Sequence, residues 1–404
     1  MTTPRILVLG SYPVVNPRHG GQIRLSNIVQ AYRGRGFDVR QASFFPANPF
    51  YTDHPLGAAD VPLPPAGLQS WKGHAAPLIE DLASGEAVAQ DDSRLAALER
   101  FAGPVDWIHL EQPWLLPVVQ RLRERGALGA FRLIYGSQNI ETHLKQAIFA
   151  QYKVRNGQPL LDGILALEQQ SAAQADLVAT VTAQDREHTL GWTQAPVLLA
   201  PNGVSAWTSS AADRSRWQQV LGPEPFALYV ASAHPPNVSG FCDSFGECMA
   251  ALSPVQKVVL AGSVTEHILS SPWYAHWGPL NARRIHAAGV LSDAELSALR
   301  DLTHTFVLPM TSGGGSNLKT AEALYSGRHV VATPHAMRGF EAMADLPGLV
   351  VTQPGLPFAQ AVSQSLAQPQ PAADAASRAR RDALSWSHTL AALCDAVQAP
   401  APKP

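Results

Sequence analysis

Phe306-Val307-Leu308-Pro309-Met310-Thr311-Ser312-Gly313-Gly314-Gly315-Ser316-Asn317-Leu318-Lys319-Thr320-Ala321-Glu322-Ala323-Leu324-Tyr325-Ser326-Gly327 decides how this chain reads. The apolar run ending at Pro309 predicts a strand, and the three successive glycines predict a tight turn. A helix then follows over roughly Asn317 to Ser326. Ser316 suits its N-cap, Leu318, Ala321 and Leu324 recur at helical spacing, and Gly327 suits the position just past its end. Val330-Val331-Ala332 begins the next strand.

A helix opened by glycines presents unshielded backbone N–H groups at the positive end of its dipole, which is a site for a diphosphate. Gly314, Gly315, Ser316, Asn317 and Leu318 form that cradle, and Lys319 in the first turn adds a full positive charge. Glu322 follows about one turn later on the same helix face. Its carboxylate can accept hydrogen bonds from the neighbouring hydroxyls of a ribose. A Gly-rich strand-to-helix turn with a surface Lys–Glu pair is the plainer reading of the same residues. A P-loop is excluded, because G-x-x-x-x-G-K-[ST] is absent.

Outward from this segment, apolar runs alternate with helical stretches. One series of strands is predicted at Arg5–Gly10, Asp38–Phe44, Trp107–Leu110, Arg132–Tyr135, Leu177–Val181 and Pro196–Leu199. A second covers Phe226–Val230, Lys257–Ala261, Ile285–Val290, Thr305–Leu308, His329–Thr333 and Leu349–Thr352. Most are apolar throughout, as parallel strands covered on both faces should be. The fold class is therefore α/β, with two doubly wound parallel-sheet domains. The break falls at Pro201-Asn202-Gly203-Val204, giving domains over 1–204 and 205–376. The tail 377–404 reads as a helix over Ser377–Val397 and then a Pro/Ala-rich end. The stretch from Pro46 to Pro77 lacks periodicity, and reads either as a functional rim loop or as a packed irregular one.

Composition narrows the function classes. Hydrophobic residues make up 46% of 404 residues and charged ones 15%, enough for large cores and too little charge for wholesale disorder. A net charge of −2 without a long Lys/Arg run argues against nucleic acid as a partner. Three scattered cysteines make no disulfide framework. The start shows no cleavable signal pattern, and no apolar stretch reaches the ~18 residues that would span a bilayer. A cytoplasmic protein is expected, with peripheral attachment to a membrane left open.

Other strand ends carry polar groups where ligands bind in parallel sheets. Gly20-Gly21 permits close backbone approach to a ligand, or serves as a plain turn; no G-x-G-x-x-G fingerprint accompanies it. Glu111, Gln138, Asn139 and Glu141 are candidate acceptor ligands, or else caps and loop ties. Gln138 cannot titrate, so acid–base work there is not expected. His234, before Pro235-Pro236-Asn237, can face a diphosphate, while Asn237 suits a helix cap. Leu144, Ile148 and Tyr152 form one stripe of a helical segment over Thr142–Arg155, for core packing or a lipid-linked acceptor. No Asp-x-Asp, H-E-x-x-H, paired-cysteine or G-x-S-x-G pattern is present, so neither a metal nor a serine nucleophile is expected.

The stretch Gly313–Leu324 with Ser326-Gly327 and Val330–Thr333 resembles the donor motif of glycosyltransferase family 4. Arg5–Gly10 with Gly20-Gly21, Pro201–Val204, Lys257–Gly262, Gly289–Leu291 and Trp386 are similar to further family elements in the family's order. The resemblance implies a GT-B fold: two Rossmann-like domains facing a cleft, the C-terminal helix crossing back to the first. It places the donor on Gly20, Gly21, His234, Gly262, Leu291, Gly314, Gly315, Ser316, Asn317, Leu318, Lys319 and Glu322, with Lys319 and Glu322 catalytic. Two departures stand out. Gly314 occupies the place of a common glutamate near the donor sugar, and Ala231–Asn237 lacks the usual Arg and Lys. Lys319 and the helix N-terminus would then carry the diphosphate's charge, with Arg24 or Arg338 as further candidates.

The expected activity is transfer of a sugar from a nucleotide diphosphate sugar to a glycan or lipid-linked glycan in surface polysaccharide assembly. The resemblance implies retention at the anomeric carbon and no cofactor beyond the donor itself. A non-catalytic sugar-nucleotide binder, a nucleotide-sugar epimerase and a phosphorylase are the rival readings.

Overall fold

Runs that are apolar without alternation should be covered on both faces, and Ile6, Leu7, Val8 and Leu9 are indeed fully buried. The structure is a computed structural model that describes residues 3–313, 317–372 and 374–399. The chain divides into two units. One holds the chain through Pro201 and again from Thr389 onward, the other Asn202–His388.

The first unit carries β1 (Arg5–Gly10), β2 (Asp38–Pro46), β3 (Asp60–Leu63), β4 (Trp107–Glu111), β5 (Arg132–Ser137), β6 (Leu177–Thr180) and β7 (Val197–Leu199). They form one sheet in the order β3-β2-β1-β4-β5-β6-β7. The second carries β8 (Phe226–Val230), β9 (Lys257–Ala261), β10 (Ile285–Gly289), β11 (Thr305–Leu308), β12 (His329–Ala332) and β13 (Leu349–Val351), in the order β10-β9-β8-β11-β12-β13. Every pairing in both sheets is parallel. These are Rossmann-like units, as the alternation of the sequence predicts.

Alternate residues of one strand feed opposite layers. In β8, Phe226 and Leu228 join one core, while Ala227 and Tyr229 join the other. Burying a side chain such as Leu228 contributes on the order of 2 kcal/mol.

The stretch from Pro46 to Pro77 is neither structureless nor open. It holds a turn of 3-10 helix at Pro49–Tyr51 and then β3, the outer strand of the first sheet. Asp60-Val61-Pro62-Leu63 hides a strand because proline cannot donate to a ladder, which an edge position tolerates. Leu63, Leu68 and Trp71 are buried beneath the stretch.

The tail also departs from expectation. Instead of one helix it forms three, Ala375–Asp382, Trp386–Thr389 and Ala391–Gln398. The break allows Leu384–Trp386 to run beside Val204, whose N–H donates to Leu384 O at 2.8 Å.

Each sheet has one place where successive connections leave in opposite directions. In the first it lies between β1 and β4, in the second between β8 and β11. Ligands of open parallel sheets bind outside the carboxyl ends of the strands at such points.

Candidate functional site

In the second unit, the helix Leu318–Tyr325 is the next element after β11. Gly314, Gly315 and Ser316 lie outside the described residues. Asn317, one place after the expected cap, takes the N-cap position, and its carbonyl accepts from Thr320 N at 3.0 Å. Thr320, Ala321, Ala323 and Leu324 are buried, and Thr320 Oγ1 donates to Ala336 O at 2.7 Å. That leaves Leu318, Lys319 and Glu322 half-buried at the other side of the helix.

Lys319 Nζ donates to Asn237 Oδ1 at 2.7 Å. Asn237 is not the cap expected from sequence. It lies within the helix Pro235–Phe245, and its amide also donates to Ser232 O at 3.0 Å. His234 takes the N-cap position without a side-chain capping bond. Burial lowers the Lys319 ammonium to about 8, against the opposing pull of Glu322. Burial, and then Lys319, lowers the His234 imidazole as well. A desolvated cation at the β8/β11 crossover, beside a neutral imidazole, is suited to an anion.

The neighbouring loops close tightly. Gly262 follows β9 at φ +95°, and its N–H donates to Gly289 O at 2.6 Å. A Cβ there would come within 2.2 Å of Ala231 O, so the position admits only glycine without a backbone shift. Leu291, after β10, is half-buried against the core that contains Leu308 and Leu324. Glu322 does not stand free: Arg300 Nη2 donates to its Oε2 at 2.6 Å.

In the first unit, several expected surface ligands are interior. Gly20 and Gly21 are not a loop but the first residues of the helix Gly20–Gly34, capped by His19. A Cβ on Gly21 would meet Tyr12 Oη at 2.4 Å. Arg24 is buried within this unit: its Nε donates to Glu111 Oε1 at 2.7 Å and its Nη1 to Ala200 O at 2.8 Å. Glu111 also pairs with His109 at 2.8 Å, and His109 with Tyr32 at 2.8 Å. At 2% exposure, Glu111 is closed to an acceptor and satisfies the fold instead. Burial pushes its carboxyl up, but Arg24 and His109 outweigh burial and hold it at about 2.

Gln138 donates to Tyr12 Oη at 2.6 Å, and Asn139 to Glu141 Oε1 at 3.3 Å. Glu141 is buried and also accepts from Gln112 Nε2 at 3.1 Å. Burial, and then Glu168, raises its carboxyl to about 7. The helix Glu141–Gln151 buries Glu141, Lys145 and Phe149; of the stripe, Leu144 and Ile148 are half-buried, Ile148 packing against the core that holds Trp114 and Ile164, and Tyr152 is exposed. Lys145 turns that face inward because Asp81 meets its Nζ at 2.9 Å.

No protein-family model matches the sequence, and no curated protein matches it. Solved structures do resemble it. Sucrose-phosphate synthase from Thermosynechococcus elongatus superposes with a TM-score of 0.65 at 15% identity, over 97% of this chain and 98% of that one. HepE from Anabaena, in complex with UDP and glucose, superposes with a TM-score of 0.62 at 14% identity, over 98% of this chain and 100% of the other. WaaG, a glycosyltransferase involved in lipopolysaccharide biosynthesis, gives 0.61 at 13%, over 98% and 100%. The chain has the GT-B fold.

Within this GT-B chain, the sequence motif and the topology point to the same corner of the second unit. His234, Lys319 and Glu322 gather there. Sequence reasoning missed Asn237 as a partner of Lys319, and it missed Arg300 and Tyr12 altogether. Arg300 and Tyr12 sit in no recognisable motif, and only tertiary pairing reveals them. Arg338 stays in the second unit beside His335, whose imidazole is lowered by burial and then by Arg338. Among the described residues, no group of three or more His, Cys, Asp or Glu is arranged to hold a metal ion, and no helix is long and apolar enough to cross a membrane.

Proposed function

We propose that this GT-B chain is a glycosyltransferase that moves a sugar from a nucleotide diphosphate donor to a glycan or lipid-linked glycan. The reading includes retention at the anomeric carbon, no metal ion, and a place in cell-surface polysaccharide assembly. One observation carries it: a desolvated lysine at the start of the helix Leu318–Tyr325, at the crossover of the second sheet, with a carboxylate one turn on. Structures of similar fold support it, since HepE is seen with UDP and with UDP-glucose.

In this reaction the bond between the anomeric carbon and the diphosphate oxygen breaks, and the acceptor oxygen bonds to that carbon on the same face. Negative charge develops on the departing diphosphate. Lys319 and the helix amides oppose it without reorganising, and a preorganised donor of this kind contributes about 3 kcal/mol. A diphosphate oxygen takes the acceptor's proton, so no protein base is required. Glu322 holds the ribose. Gln138, Asn139 and Glu141 belong to the acceptor side, where they order the loops after the first sheet.

A thermal-shift panel of UDP, GDP, dTDP, ADP and their sugars tests the reading, because a ligand of the folded state raises its apparent stability. One nucleotide diphosphate should raise the melting temperature by several degrees, and Lys319→Ala should abolish the rise. A protein indifferent to every nucleotide in the panel would refute the assignment.

A further inference from the structure

The ribose-binding role of Glu322 leaves a physical question, because a half-buried carboxylate on a short helix has rotamers to lose when it grips a ligand. Arg300, on the separate helix Asp293–Leu302, answers it. Its Nη2 donates to Glu322 Oε2 at 2.6 Å, with the two side chains 15% and 25% exposed. The guanidinium is held from behind as well: its Cζ lies 5.2 Å from the centre of the Trp207 ring. Trp207 in turn donates from Nε1 to Oδ1 of Asp301, the residue after Arg300, at 3.0 Å. Trp207 also meets Tyr325, on the helix of Glu322, edge to face at 5.6 Å.

We infer that Arg300, clamped between Trp207 and Glu322, is a positioning residue that fixes the Glu322 carboxylate with one oxygen occupied and Oε1 presented to a sugar hydroxyl. The inference rests on the nucleotide-binding reading above and adds a determinant of ribose selectivity to it. A charge-assisted bond is roughly twice as strong as a neutral one, and a carboxylate fixed in advance loses less entropy when the ligand arrives. Among the described residues only Arg300 hydrogen-bonds this carboxylate, so its removal frees Glu322 to rotate.

The test compares the nucleotide diphosphate that binds with its 2′,3′-dideoxy form, by calorimetry, on the wild type, Arg300→Met, Arg300→Lys and Glu322→Gln. The wild type should favour the ribose form by about tenfold or more, the discrimination expected when a polar site loses its partner. Arg300→Met should lose about tenfold for the ribose form while keeping its affinity for the dideoxy form. The preference then collapses, as it should in Glu322→Gln, and Arg300→Lys should restore part of it. Equal losses for both ligands would show a merely structural residue, and an unchanged preference would show an idle one; either overturns the inference while leaving nucleotide binding intact. Absence of binding by every nucleotide diphosphate would instead overturn the functional reading on which the inference stands.

Discussion

Lys319 Nζ sits 2.7 Å from Asn237 Oδ1, so the cation that opens one helix is held by the amide of another. The bond joins the segments that follow β8 and β11, the strands flanking the crossover of the second sheet. A neutral amide satisfies a donor of the ammonium without cancelling its charge. Lys319 therefore keeps its attraction for an anion, which an aspartate at position 237 would quench.

Holding that charge half-buried costs stability. Because burial lowers Lys319 from 10.5 to about 8, the folded chain binds fewer protons than the unfolded one between those values. Stability from this group therefore rises as the pH climbs from about 8 to 10.5, and at neutral pH the ammonium is a burden. Lys319→Met should raise the melting temperature of the ligand-free protein at pH 7, by an amount equivalent to about 1–2 kcal/mol after the loss of the Asn237 bond. The same variant should weaken nucleotide diphosphate binding by at least about tenfold. Scanning fluorimetry with and without nucleotide reads both, and a variant less stable than the wild type would contradict the desolvation argument.

Titration of Lys319 also predicts how binding depends on pH. As the pH rises through about 8, the ammonium of the free site loses its proton, and diphosphate affinity should fall. Lys319→Arg, whose guanidinium stays charged, should flatten the profile between pH 7 and about 9.5 even where its affinity is lower. Calorimetric titrations across that range check this. A wild-type profile without a decline would mean that another group supplies the charge.

The sheets were legible in the sequence because parallel strands such as Ile6–Leu9 and Val258–Ala261 are apolar on both faces. β3 was not, since Asp60 and Pro62 remove both the apolar pattern and a ladder donor from an edge strand. Lys319 and Glu322 stood out because a local glycine-to-helix pattern places them. Glu111 misled for the converse reason: a carboxylate at a strand end looks available until Arg24, 87 residues away, closes over it. Helix 141–151 turned an unexpected face inward because Asp81, from a different element, makes burying Lys145 tolerable. For Glu111 and for helix 141–151 the missing information was a long-range partner.

The pair Arg24–Glu111 supplies a prediction about the first unit. Both side chains are at most 2% exposed. Removing one member of such a pair leaves the other charged and uncompensated, so Glu111→Gln should cost about 3–5 kcal/mol. Arg24→Met combined with Glu111→Gln should cost less than the sum of the single changes, because no orphaned charge remains. The depressed carboxyl sets the pH window: its contribution is complete above about 4.5 and is lost as the pH falls toward 2. Urea unfolding of the three variants at pH 7 measures the coupling, and additive losses would deny it.

Glu141 predicts a pH dependence of the opposite sign. Glu168 occupies the N-terminus of the helix Glu141–Gln151, accepting from Glu141 N at 2.6 Å and from Thr142 N at 3.0 Å. That second carboxylate, added to burial, favours the protonated form of Glu141 and raises it from 4.5 to about 7. Between these values the folded chain holds more protons than the unfolded one. Its contribution is therefore complete below about 4.5 and is lost as the pH rises through 7. Glu141→Gln replaces the carboxyl with a group of the same shape that cannot ionise, and its carbonyl can still accept from Gln112 and Asn139. The variant should match the wild type at pH 5 and exceed it by about 2–3 kcal/mol at pH 8, where the wild type must deprotonate in place. Denaturant midpoints at the two pH values decide it. A variant that is equally destabilised at both would show that Glu141 is needed as a carboxylate, tied into the polar network with Gln112 and Asn139.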